Sequence, residues 1–196
     1  INITWGDASS YTLYVKPAMG SIGNLLLGAR DAMGNLTELG YQKHDINYSL
    51  EAGIENIGTN QYYALSEVKY HTGARTVYNY QKSRKSSGSG YMDYLRISER
   101  KELDGAGEYH KIRYAYWGEA DGYPQHAKNT LPKTYQYIRS MTYQDGKTET
   151  ITYNNQHLPV KREISASGKK KQTQITSFHP TTLAPKLVYT TSYNET

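Results

Sequence analysis

Four times along this chain a glycine in a turn-forming stretch is followed seven residues later by a tyrosine: Gly34 and Tyr41, Gly73 and Tyr80, Gly107 and Tyr114, Gly146 and Tyr153. Two residues before each tyrosine stands another apolar or aromatic side chain: Leu39, Tyr78, Ile112 or Ile151. A separation of two puts both side chains on one face of an extended strand. Each unit therefore reads as a turn that feeds a strand carrying an aromatic anchor. The glycines lie 39, 34 and 39 residues apart, a period that belongs to stacked or spiralling units and not to a compact two-layer domain.

Composition narrows the choice further. Leu, Ile, Val and Phe supply only 32 of 196 residues, below the rough 20% line at which ordinary aliphatic cores become difficult to build. A helical bundle or an α/β enzyme core needs more than this. Disorder is equally disfavoured, because net charge is only +5 and the chain holds 21 Tyr and 19 Thr, both strand formers. Cysteine is absent, which removes disulfides, thiol catalysis and thiolate metal sites. The clearest apolar run, Leu25-Leu26-Leu27, falls far short of the roughly 20 residues of a membrane helix. The chain starts at Ile1 with nothing resembling a signal peptide, and reads as a processed piece or an excised segment.

Alternation dominates along the sequence: Ile112, Tyr114 and Tyr116 point one way and Lys111, Arg113 and Ala115 the other. Strands are expected near 36–42, 62–70, 75–81, 92–103, 108–117, 134–143, 147–153, 158–165, 170–178 and 186–193, with 44–60 left unassigned. Turn signals at Asp31 to Asn35, His71 to Gly73, Asp104 to Gly107, Asp145-Gly146 and Ser167-Gly168 can each close a hairpin. Residues 1–23 form an unassigned leading segment, 24–196 a β-hairpin segment, and the Gly/Ser-rich stretch near 82–90, with Ser87-Gly88-Ser89-Gly90, a connector.

The stretches Asp31-Ala-Met-Gly-Asn-Leu-Thr37, Leu65 to Tyr80, Leu95 to Tyr116 and Tyr143 to Asn154 resemble the tyrosine-rich YD repeats of Rhs proteins, over roughly residues 24–196. The chain departs from that pattern where Asn follows Tyr153 and Tyr193, where His179 follows Phe178, and where Arg30 precedes Asp31. The resemblance implies a ribbon of antiparallel hairpins that spirals into a hollow shell around a toxic polypeptide, as in Rhs proteins and the B and C components of insecticidal toxin complexes. Teneurins build a similar barrel outside the cell. A Tyr-rich, aliphatic-poor sheet suits a wall wetted on both sides, since the ring packs across strands while the hydroxyl stays hydrated.

Catalytic and ligand chemistry is thin. His44-Asp45 lacks the further ligands a metal centre needs, and His71, His110, His126, His157 and His179 show no chelating spacing. No serine sits in a nucleophile elbow, and Gly105-Ala-Gly107 lacks the helix that would cradle a phosphate. Lys169-Lys170-Lys171 and Arg84-Lys85, in a chain of pI about 9.1, raise nucleic-acid binding, but the lysines follow the Ser167-Gly168 turn, where charge keeps a hairpin tip soluble. Sequons at Asn2, Asn35, Asn47 and Asn194 matter only in a glycosylating host, and Asn35 is explained by its turn.

The expectation is an all-β, non-enzymatic segment of a secreted or extracellular shell, part of a larger bacterial protein, with no metal or cofactor. Its partners are the remainder of the shell and an enclosed toxin polypeptide; nucleic acid is not expected. The alternative is an extracellular adhesion or carbohydrate-binding module using an exposed Tyr-rich face, although only Trp5 and Trp117 accompany the tyrosines.

Overall fold

The computed structural model describes residues 2–4, 10–17, 24–49, 58–87, 90–118 and 132–193. Within them the chain is all-β, without a helix. Its strands are β1 (Asn2–Thr4), β2 (Ser10–Pro17), β3 (Asn24–Arg30), β4 (Leu36–Ser49), β5 (Gly58–Lys69), β6 (Arg75–Ser87), β7 (Gly90–Asp104), β8 (Gly107–Gly118), β9 (Tyr137–Tyr143), β10 (Thr148–Tyr153), β11 (Pro159–Ala166), β12 (Lys169–Phe178) and β13 (Pro185–Ser192). Strand order in the sheet follows the sequence, with one additional pairing between β4 and β7. Two units divide the chain, Ile1–Lys111 and Ile112–Thr196. Trp5, Gly88, Ser89, His126 and Asn194, singled out above, lie outside the described residues, as do the side chains of Asn2 and Lys85.

Ten expected strands are present, several of them longer than alternation alone indicated. β4 runs on through Lys43, His44 and Asp45 to Ser49, and β5 begins at Gly58, so much of the unassigned stretch is strand. The leading segment contains β1 and β2, and Leu25-Leu26-Leu27 lies in β3. Reading 82–90 as a connector is corrected. Residues 82–87 continue β6, and Ser87 pairs with Gly90 at the start of β7.

Four of the turns share one construction. In Asp31–Asn35, Tyr70–Ala74, Tyr143–Lys147 and Asn154–Leu158, the first N–H donates to the fifth carbonyl and the fourth N–H donates to the first carbonyl, all at 2.8–3.1 Å. The fourth residue is left-handed: Gly34 at φ 87°, Gly73 at 84°, Gly146 at 80° and His157 at 61°. The departure noted at Asn154 is thereby resolved. Asn154 Oδ1 accepts from the Gln156 and Leu158 N–H groups, as Asp31 Oδ1 accepts from Met33 and Asn35. Either Asx side chain nucleates the turn, because the two backbone N–H groups need only its Oδ1 as acceptor. Gly107 departs from the set: it begins β8 at φ 125° after a two-residue turn of Gly105 and Ala106.

In the first unit, β5 and β6 pair over only three positions, Glu67↔Val77 to Lys69↔Arg75. The β4–β5 and β6–β7 hairpins separate beyond them and are joined again where Tyr48 and Ser49 pair with Met92 and Tyr91. In the second unit β8 to β13 pair as an antiparallel succession. Few apolar side chains are buried: Ala64, Ile112, Tyr135 and Tyr137, against Ser49, Thr76, Asp93, Arg96, Ser140, Glu149 and Thr173 among polar ones. Among the described residues burial is therefore mainly polar, and the hydrogen-bond partners of those groups bear strongly on stability.

The turns yield a contrast of glycines. Gly73→Ala forces an L side chain into the left-handed region and is expected to cost about 1–2 kcal/mol in chemical denaturation. Gly105 has no positive φ and open space around its Cβ position, so Gly105→Ala is expected to be neutral or stabilising by up to ~1 kcal/mol.

Candidate functional site

Three of the four repeat tyrosines, Tyr41, Tyr80 and Tyr153, sit where register breaks. Between β4 and β5 the pairing steps from Gly40↔Glu67 to Tyr41↔Leu65, leaving Ser66 as an extra residue. Between β6 and β7 it steps from Asn79↔Glu99 to Tyr80↔Ile97, leaving Ser98. Between β10 and β11 it steps from Thr152↔Lys161 to Tyr153↔Pro159, leaving Val160. A bulge of this kind bends the strand and increases local twist.

Two of these tyrosines also close the gap behind them. The β3–β4 ladder ends at Gly28↔Glu38, and Tyr41 Oη donates to the Leu26 carbonyl at 2.9 Å. The β5–β6 ladder ends at Glu67↔Val77, and Tyr80 Oη donates to the Leu65 carbonyl at 2.7 Å. In both, the acceptor lies two residues past the last ladder partner and next to an extra residue, Leu27 in β3 and Ser66 in β5. The hydroxyl takes over where the ladder stops, which satisfies a carbonyl that the divergence of the strands leaves behind.

The other two anchors act differently, because their ladders do not open. Tyr153 pairs with Tyr137, the rings stack at 4.9 Å and 7°, and Arg139 Nη2 donates to Tyr153 Oη. Tyr114 pairs with Met141, and Ile112, buried, with Tyr143. Ile151 lies opposite Arg139 and Arg162. Register thus puts Ile112, Tyr114, Tyr137, Arg139, Met141, Tyr143, Ile151 and Tyr153 on one face of the second unit. Tyr78 pairs with Arg100 and Leu39 with Val68. Gly34, Gly73 and Gly146 occupy the left-handed turn position, while Gly107 opens β8.

Two buried carboxylates went unnoticed in the sequence. Asp93, 3% exposed, accepts from Arg84 Nε at 2.7 Å, and Arg84 lies over the Tyr91 ring at 3.8 Å. This hydrogen bond holds Asp93 below the ordinary carboxylate range, with a smaller contribution from the Asn47 backbone of β4. Glu149, also buried, accepts from Arg162 Nε at 2.6 Å and from Tyr143 Oη at 3.3 Å. Arg162 is the main cause of its lowered pKa. At the other end of β9, burial pushes Tyr137 up to about 12, with Tyr153 adding to the effect.

His44 belongs to the first-unit junction: its ring meets Tyr80 edge-on at 5.7 Å, and its buried Nε2 makes no hydrogen bond. Among the described residues no three His, Asp or Glu side chains gather as a metal site, and no helix is long and apolar enough to cross a membrane. Asn35 has a local explanation of its own. Gly34 takes the left-handed position, and Asn35 Nδ2 donates to Asp31 Oδ2 at 3.0 Å. Lys170 and Lys161 both pair with Glu163, so part of the basic tip is neutralised within the sheet. Tyr62, Tyr109, Trp117 and Tyr189 are exposed. Comparison with known proteins finds no family model and no curated protein that matches the chain.

Three consequences are measurable. Tyr80→Phe leaves the Leu65 carbonyl unpaired and is expected to lower stability by about 1–3 kcal/mol, whereas Tyr62→Phe, at an exposed ring, leaves it unchanged in the same denaturation assay. The folded pKa of Glu149 lies below its ordinary 4.5, so its contribution is complete above that value and fades as pH falls through the folded one. Glu149→Gln is therefore expected to lower the denaturation midpoint at neutral pH and to flatten its decline in acid. Tyr137 keeps its proton in the folded state between 10 and about 12, so stability is expected to fall over that interval, and Tyr137→Phe to remove that part of the fall.

Proposed function

We propose that this chain is a stretch of a YD-repeat wall, a hairpin ribbon that encloses a toxin polypeptide outside the cell that makes it and takes no part in catalysis. The observation that carries the reading is the twofold recurrence of one joint: a short ladder, a bulge, and a tyrosine hydroxyl on the carbonyl just past the break. A joint of this kind can be added again and again without enlarging a core, which is what a wall of indefinite extent requires. The polar character of the buried residues supports the same reading, since both faces of a container wall meet water. The resemblance to Rhs proteins supplies the cargo.

In such a wall the remainder of the ribbon covers the terminal strands, and the chain separates its cargo from proteases. The exposed Tyr62, Tyr109 and Tyr189 rings support the alternative of an adhesion or glycan-binding module. Electron microscopy of the intact parent polypeptide, combined with limited proteolysis, tests the choice. The wall reading predicts a closed envelope and an internal segment that is cut only after denaturation. An open domain whose segments are all cut at native pH, or saturable glycan binding lost in a folded Tyr62→Ala or Tyr189→Ala variant, overturns it.

A further inference from the structure

Two aspartyl-glycyl pairs occur among the described residues, Asp104-Gly105 and Asp145-Gly146, both exposed and both in hairpin turns. A third, Asp121-Gly122, lies outside them. At such a pair the absence of a Cβ on glycine lets its amide nitrogen approach the preceding carboxyl. The two turns engage that nitrogen differently. The Gly146 N–H donates to the Tyr143 carbonyl at 3.0 Å as part of the shared five-residue turn. The aspartates themselves are held alike, Asp104 Oδ1 accepting from the Ala106 N–H at 2.8 Å and Asp145 Oδ1 from the Lys147 N–H at 2.9 Å, so the difference lies at the glycine nitrogen. The Gly105 N–H has no partner among the described residues, and nothing lies within 4 Å of its Cβ position.

We propose that Asp104 is a self-modification site, isomerising through a cyclic imide formed with Gly105, while Asp145 is protected by its turn. The Gly105 nitrogen attacks Asp104 Cγ in its carboxylic acid form. The new C–N bond forms as the carboxyl hydroxyl leaves with the amide proton as water. Water then reopens the five-membered imide. Addition at the side-chain carbonyl returns aspartate; addition at the main-chain carbonyl gives isoaspartate, with the main chain now running through the Asp104 methylene. Water lost is water regained, so mass is unchanged and no oxidant, reductant or cofactor takes part.

Isoaspartate adds one carbon to the backbone of a two-residue turn. That turn is flanked by an ion pair, Lys101 Nζ to Glu108 at 3.4 Å, and by a contact of His110 Nδ1 with Glu102 at 3.3 Å. Tight turns fix hairpin register, so the modified turn disturbs the pairing that these contacts accompany. Asp104 is then a chemical timer at one hairpin of the sheet.

The test is to incubate the full chain at neutral pH and physiological temperature. Isoaspartate is quantified by enzymatic methyl-acceptor assay and by peptide mapping with fragmentation that separates the isomers. Release of the Gly146 N–H costs one net backbone hydrogen bond, so product at Asp104 is expected to exceed that at Asp145 by about fivefold. In denaturant, where neither turn persists, the two rates converge. Gly105→Ala, which the turn accommodates, suppresses the product at Asp104. Equal rates at the two sites in the folded chain, a difference that survives denaturation, or undiminished product in Gly105→Ala overturns the proposal.

Discussion

Backbone hydrogen bonding between consecutive strands gives this protein what larger aliphatic side chains give others, and every other feature is arranged to keep that ladder intact. The constraint is severe wherever two hairpins diverge, because each separation strands carbonyl groups that no water-free core conceals and no neighbouring strand reaches. Tyrosine answers it with one side chain. Its ring spans the distance between strands, and its hydroxyl donates to a carbonyl two residues past the last ladder partner, as at Leu26 and Leu65. Arg84 with Asp93, and Arg162 with Glu149, serve the buried acidic groups in the same spirit. Pairing a buried charge mainly avoids the cost of leaving it unpaired, and adds little beyond that.

Much of the fold could be read from alternation and turn chemistry, and the failures have definite causes. β3 escaped notice because Leu25-Leu26-Leu27 is a continuous apolar run with no period of two, and its extra residue, Leu27, breaks the pattern where it would have been read. The far half of β4 carries Lys43, His44 and Asp45, whose polarity hides a strand that pairs with β5 from Glu38 to Tyr48. The Asn154–Leu158 turn lacks the glycine signal because His157 adopts the left-handed conformation in its place. Tertiary context, including the Tyr137 ring at 5.8 Å from His157, accompanies that conformation.

The anchors were legible as positions but not as interactions. Sequence spacing located Tyr41 and Tyr80; it could not locate their acceptors, since a main-chain carbonyl 15 residues away has no residue-type signature. The Arg84–Asp93 pair was within reach. Counting outward symmetrically from Ser87 and Gly90 brings these residues opposite each other, as the register has them, but that count requires treating the Gly/Ser stretch as a hairpin tip. Reading it as a connector removed the pair from view. The fourth repeat unit was matched by position alone: Gly107 opens a strand in place of closing a five-residue turn, and its tyrosine lies in an unbroken ladder.

Hydrogen exchange followed by mass spectrometry on the full chain, comparing the native sequence with Tyr80→Phe, addresses the hydroxyl joint most directly. Removing that one oxygen is predicted to speed exchange in the strands around Leu65 and Tyr80, where β5 and β6 part, while amides of β11 and β12 keep their protection. Unchanged exchange around Leu65, or a loss spread evenly over the whole chain, contradicts the role given to the tyrosine hydroxyl in holding successive hairpins together.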